Sequence, residues 1–282
     1  MEINMKRFFT VVLIALLSCA IACAQGSHSQ LQGHEPGHNK PSSNNSQKTK
    51  VDISPTIGKA NYTPNVKTFY ANGVSFDMVE VRGGTFRMGA TSEQGSEVYS
   101  DEMPVHSVNL SSYYIGKTEV TQALWKAVMG SNPSYFKGDN LPVECVSWND
   151  CQEFVRELNA LTGLNFRLPT GAEWEFACRG GNNSRGYRFS GSDNFEEVTW
   201  YGGNSGQRTH PVGTKLPNEL GIYDMSGNVK EWCNDWFTDY KDGSIRVFRG
   251  SERRFDWCYE NRQCTNRTPT DRTAIFGLRL AL

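Results

Sequence analysis

The sequence predicts a single α+β domain made largely of turns and short elements, on three observations. Asn72-Gly73 stands between Phe69-Tyr70 and Val74-Ser75-Phe76, a strong hairpin signal. Two phrases of capping-box form, Ser147-Trp148-Asn149-Asp150 and Thr170 with Glu173, open helical segments. Finally, 27 Gly and 11 Pro punctuate the chain, and beyond Gly180 no long helical period survives. Fifteen Phe, 11 Tyr and 7 Trp supply enough large apolar surface for a core. The 29 basic and 30 acidic side chains give a net charge of -1. That balance excludes the basic excess of a nucleic-acid binder and the charge excess of a disordered chain.

The elements follow in order. Lys6 and Arg7 precede an apolar run from Phe8 to Leu17 and a small-residue stretch, so residues 1–24 read as an export signal, too short for a stable anchor. Two processing routes fit. Ala22-Cys23-Ala24 has the form of a peptidase site; Leu-Leu-Ser-Cys19 and Ala-Ile-Ala-Cys23 resemble a lipobox, which would put a lipid on Cys19 or Cys23. Either route leads to a disulfide-permissive compartment: periplasm, outer membrane lipoprotein or cell surface. Residues 25–66 are rich in Gly, Ser, Asn, Gln, His and Lys and read as a flexible linker, with His28, His34 and His38 as solvated tail residues.

Residues 67–282 form the domain. Phe76–Val81 and Thr85–Met88 alternate as strands around Gly83-Gly84. A helix over Thr121–Met129 places Leu124 and Val128 on one face and stops at Gly130; another carries Phe154, Leu158 and Leu161 before Gly163; a third runs from Thr170 towards Gly180. Trp148, Trp174, Trp232 and Trp236 read as core aromatics. His106 and His210 are the domain's histidines, with no His-x3-His or Glu-x-x-His spacing for a zinc or non-haem iron site.

Nine phrases in order are specific: Phe86-Arg87-Met88-Gly89, Asp101 to His106, Lys117 to Thr121, Pro142 to Trp148, Arg167 to Glu175, Arg179-Gly180-Gly181, Gly221 to Trp232, Arg249-Gly250-Ser251, and Phe276-Gly277-Leu278-Arg279. Together they resemble the formylglycine-generating-enzyme, or sulfatase-modifying-factor, domain family over roughly residues 74–282. The resemblance implies a loop-rich fold related to the C-type lectin fold. The family contains oxidases that convert a sulfatase cysteine to formylglycine, and also exported proteins without such activity, so fold leaves function open.

The resemblance also implies particular sites. The oxidases hold copper with a Cys-x4-Cys pair, a soft site suited to Cu(I). On the matching register those positions are Arg254 and Tyr259, with Cys258 one residue from the second. Arginine has no acceptor and cannot replace a thiolate, so copper is not expected. Cys258 retains one candidate catalytic role, as a thiolate near Arg253, Arg254 and Arg262, against a structural disulfide. A family disulfide falls on Cys178 and Cys264; a second falls on Val155 and Leu280, both aliphatic here. The pairing of Cys145, Cys151, Cys233 and Cys258 stays open. The family's calcium turn falls on Gly227, Asn228, Val229 and Glu231, with Lys230 where a Trp is usual; the competing reading pairs Glu231 with an arginine. The sequence thus predicts an exported cell-envelope protein whose domain is a non-catalytic binding or scaffold module for a protein or glycan ligand, touching membrane only through a lipid anchor. A thiol- or copper-dependent oxidase acting on a partner's cysteine, and lectin-like carbohydrate binding, are the alternatives.

Overall fold

Asn72-Gly73 does turn the chain back on itself. In the computed structural model, which describes residues 63–92, 102–237, 245–250 and 265–282, β1 (Val66–Ala71) pairs antiparallel with β2 (Val74–Val81), with Ala71 opposite Val74. Asn72 and Gly73 both have positive φ, the backbone a tight two-residue hairpin demands. β2 then pairs with β5 (Tyr113–Gly116), giving a three-stranded sheet in the order β1-β2-β5. The C-terminal residues join β5: Tyr114 and Leu282 exchange backbone hydrogen bonds at 3.0 and 2.9 Å.

Gly83-Gly84 does not close a hairpin between β2 and the next strand. β3 (Gly84–Met88) pairs with β4 (His106–Leu110) in a separate two-stranded sheet. A Cβ on Gly83 would meet the Leu110 carbonyl oxygen at 2.4 Å, so this glycine marks a close backbone crossing where the chain changes sheets. The alternation of both strands was legible; their partners were not.

Three helices end as their sequences dictate. Thr121 caps α1 (Gln122–Met129) through the Leu124 N–H, and Gly130 ends it in the left-handed conformation. α2 (Trp148–Thr162) opens with a reciprocal capping box between Ser147 and Asp150 and ends at left-handed Gly163; Phe154 and Leu158 are buried, but Leu161 is 48% exposed. α3 (Gly171–Cys178) opens with the Thr170–Glu173 box and stops at Arg179. All but one of its eight residues are buried, so it has no polar face and fills the space between sheets. Two four-residue helices, α4 (Phe195–Val198) and α5 (Gly202–Ser205), flank β6 (Thr199–Trp200), which pairs in parallel with β7 (Ser226–Gly227).

The largest sheet has the order β10-β9-β8-β11, from β8 (Lys230–Trp236), β9 (Arg246–Arg249), β10 (Thr265–Arg267) and β11 (Phe276–Leu278). β11 runs parallel to β8 and β9 antiparallel to it. One face carries Trp232, Phe248 and Phe276 into the core, with Trp232 and Phe276 stacked at 4.7 Å. There they join Trp125 and Phe154, stacked at 4.8 Å, and Leu124, Leu158 and Phe166. Strand alternation sends Glu231 and Arg249 to the other face, under α3. Thr63–Leu282 form one compact unit. Among the described residues no helix is long and apolar enough to cross a membrane.

Candidate functional site

The segment Gly221–Trp232 winds tightly before entering β8. Asp224 and Asn228 hold positive φ values of 58° and 60°, and Gly227 one of 107°. A Cβ on Gly227 would meet the Trp200 carbonyl oxygen at 2.6 Å, so glycine lets β6 approach β7. This winding places three buried carboxylates around one guanidinium. Glu231 accepts from Arg279 Nη2 at 2.7 Å and from its Nε at 2.9 and 3.1 Å, and also from Trp174 Nε1 at 2.6 Å. Arg279, fully buried, spends its remaining donors on the Gly116 and Tyr223 carbonyls, both at 2.9 Å. Glu119 accepts from Asn228 Nδ2 at 2.7 Å and from the Val229 N–H at 3.1 Å. Asp224 accepts from the Gly213 N–H at 2.7 Å.

The charges are unequal in number, and the proton affinities show it. Burial, then the neighbouring Asp224 and Glu231, pushes the Glu119 carboxyl well above the carboxylate range. Burial also lifts Asp224, to about 6, against the Gly213 N–H and Arg279. Burial opposes the charge of Arg279, but Glu231 and the other two carboxylates more than restore it, so its affinity for the proton rises.

A calcium ion needs several free oxygen ligands. Here both Glu231 oxygens accept from Trp174 or Arg279, and Asn228 Oδ1 accepts from the His210 N–H at 3.0 Å. Of the four positions Gly227, Asn228, Val229 and Glu231, the two with oxygen-bearing side chains are therefore engaged, and a cation already sits against the carboxylate. At Gly227 and Val229 only the backbone carbonyls could serve as ligands. Among the described residues no group of three His, Cys, Asp or Glu is placed to hold a metal. Lys230, where a Trp is usual, points to the opposite face and lies 5.0 Å from the Phe248 ring centre.

A second buried charge cluster joins α3 to β3 and β9. Glu175 accepts from the Arg179 Nε and Nη2 at 2.9 and 2.7 Å and from the Gly89 N–H at 3.0 Å, and its other oxygen lies 3.2 Å from Arg249 Nη1. Glu175 and Arg249 line a cleft of about 90 Å³ with Met88, Gly89, Glu102 and His106. Arg249 is the start of the Arg-Gly-Ser phrase that leads into the expected chemistry. Arg254, Cys258, Tyr259 and Cys264 lie outside the described residues, as do Cys19 and Cys23.

The described cysteines, Cys145, Cys151, Cys178 and Cys233, are all buried, and no disulfide joins any two of them. Cys178, expected to bridge to Cys264, carries a thiol 3.8 Å from the Met225 carbonyl oxygen, and burial pushes its proton affinity far up. The Val155 and Leu280 positions are both buried in the apolar core, as their side chains suggest. Of the four tryptophans read as core, Trp174 and Trp232 are fully buried, but Trp236 is 44% exposed. Trp236 and Trp148 sandwich the Arg246 guanidinium, 3.2 and 3.5 Å from the two ring centres. Arg279, Glu119 and Arg246 were the residues the sequence left without roles. The first two lay inside recognisable phrases; nothing local marks the third.

The fold is shared with a solved structure, Treponema denticola variable protein 1. It superposes with a TM-score of 0.69 at 33% identity, covering 78% of this chain and 99% of that one. The chain belongs to the sulfatase-modifying factor enzyme 1-like domain family, whose model matches residues 65–282. It is 39% identical over 229 residues to the chaperone protein LppX of Paenibacillus barcinonensis, covering 63% of this chain and 78% of the relative. It is 28% identical over 288 residues to the formylglycine-generating enzyme of Streptomyces coelicolor, covering 72% and 88%.

Proposed function

We propose that this protein is an exported cell-envelope module that binds or scaffolds a partner and does not oxidise cysteine. The observation that carries this reading is the pair Arg254 and Tyr259 at the positions where the family's oxidases place copper thiolates. A cationic side chain and a phenol cannot supply a two-coordinate soft site. The similarity to a relative described as a chaperone protein supports action on another protein rather than on a small oxidisable substrate. The N-terminal apolar run and the cysteines at its end support export, with a lipid on Cys19 or Cys23 as one route. In the described charge clusters Glu231 is held by Arg279 and Glu175 by Arg179, which suits a rigid frame better than a reacting centre.

Cu(I) competition with a chromogenic chelator tests this reading. The purified chain is expected to leave the chelator's copper untouched. Tight Cu(I) binding that disappears in Cys258→Ser would overturn it in favour of an oxidase. Addition of calcium or EGTA is expected to leave the melting temperature unchanged, because the Glu231 carboxylate is committed to Arg279.

A further inference from the structure

A cavity of about 330 Å³ opens where β5 leaves β2. The two strands pair over Met78–Val81, with Met78 opposite Gly116 at the end of the ladder. The rim is pinned by the Lys117 N–H to the Asp77 carbonyl and by the Tyr223 N–H to the Lys117 carbonyl, both at 2.9 Å. Gly213 and Tyr223 close the far side.

Ser75, Thr118, Thr121 and the buried Glu119 contribute polar groups to the lining, and two further parts stand out. Met78, Leu124 and Leu280, each no more than 2% exposed, form an apolar surface with Phe76. At the mouth Lys117 Nζ lies 3.2 Å from Asp77 Oδ2, with the side chains 35% and 36% exposed. Thr68 Oγ1 donates to the other Asp77 oxygen at 2.7 Å and fixes the carboxylate's orientation. An ion pair this exposed contributes little to stability, so its partners exchange readily. A ligand with one charge would satisfy Lys117 or Asp77 and leave the other unpaired. A ligand with an ammonium and a carboxylate a few bonds apart satisfies both at once, the ammonium on Asp77 and the carboxylate on Lys117. The apolar lining then receives an aliphatic side chain, and the volume lies at the lower end for small-molecule sites.

We propose that this cavity binds a free aliphatic α-amino acid. The proposal rests on described residues alone and stands whether or not the Cys258 segment binds copper.

Calorimetry on the full chain at pH 7 tests the proposal with three probes. L-Leucine carries both charges, leucinamide lacks the carboxylate, and 4-methylpentanoate lacks the ammonium. Leucine is expected to bind at one site with Kd below about 1 mM. Each analogue is expected to bind about two- to fivefold more weakly, the size of one partly exposed ion pair. Lys117→Met should remove the preference for leucine over leucinamide, and Asp77→Asn the preference over 4-methylpentanoate, both with an unchanged melting temperature. Absence of leucine binding at about 10 mM, or equal affinity for all three compounds, overturns the proposal. The analogue series on the unmodified chain decides the matter even if either variant misfolds.

Discussion

Along Lys230–Cys233, Arg246–Arg249 and Phe276–Leu278 both faces of the β10-β9-β8-β11 sheet are buried, yet they are held by different physics. One face packs Trp232, Phe248 and Phe276 as stacked and edge-on rings against the apolar core. The other meets α3 through Glu231, Arg249, Glu175 and Arg279. Burial of apolar surface is non-directional, and a core accepts a similar volume in a slightly different shape. The charged face is directional: each carboxylate has lost its water and depends on particular donors at hydrogen-bond distance. The first face supplies the driving force for burial. The second fixes one arrangement of α3, the Gly221–Trp232 winding and the C-terminal strand.

The sharpest way to break this contrast is Arg279→Met. It strands Glu231 with Glu119 and Asp224 beside it, and is expected to cost about 3–5 kcal/mol by urea denaturation. The double variant Glu231→Leu with Arg279→Met should recover most of that loss, since replacing a whole buried pair is close to neutral.

The next effect depends on pH. The folded Asp224 carboxyl sits near 6, above its ordinary value of 3.8. A raised carboxyl contributes stability that is complete below its unfolded value and lost as pH rises through the folded one. Asp224→Asn should therefore be more stable than the parent at pH 7.5, by about 2–3 kcal/mol from the size of the shift. The gap should close as pH falls from about 6 to 4, and denaturation series at pH 7.5 and 4.5 compare the two. An advantage that grows in acid would show that Asp224 is needed as an anion.

On the apolar face Phe248→Leu should cost only about 1–2 kcal/mol, because neighbouring rings can relax around a smaller hydrophobe. A cost as large as that of Arg279→Met would erase the contrast between the faces. Smallest is Ser147→Ala, which removes one half of the α2 capping box and should cost about 1 kcal/mol, read as a small drop in melting temperature.

Legibility in the sequence followed the range of the interaction. The Asn72-Gly73 turn, both capping boxes and the glycine stops at Gly130 and Gly163 depend on residues within four positions of each other. α3 was legible by its cap alone, because burial on every side removes the periodicity that marks a surface helix. The Gly83-Gly84 turn misled because strand alternation says which face is buried, not which strand lies alongside. At the candidate site, Asn228 and Glu231 were marked by their phrase. Their engagement was not, since Glu119 lies 109 residues from Asn228 and Arg279 lies 48 from Glu231.

By itself the sequence determined the α+β character, the family and the substitution of Arg254 and Tyr259 for the copper thiolates. Each rests on residue identity or on spacing along the chain. Only the tertiary structure decided that Glu231 pairs with Arg279, that Trp148 and Trp236 enclose Arg246, and that a cavity opens beside Lys117 and Asp77. These depend on which distant segments share a desolvated space. Desolvation makes a charge choose a partner by distance in space rather than by distance in sequence.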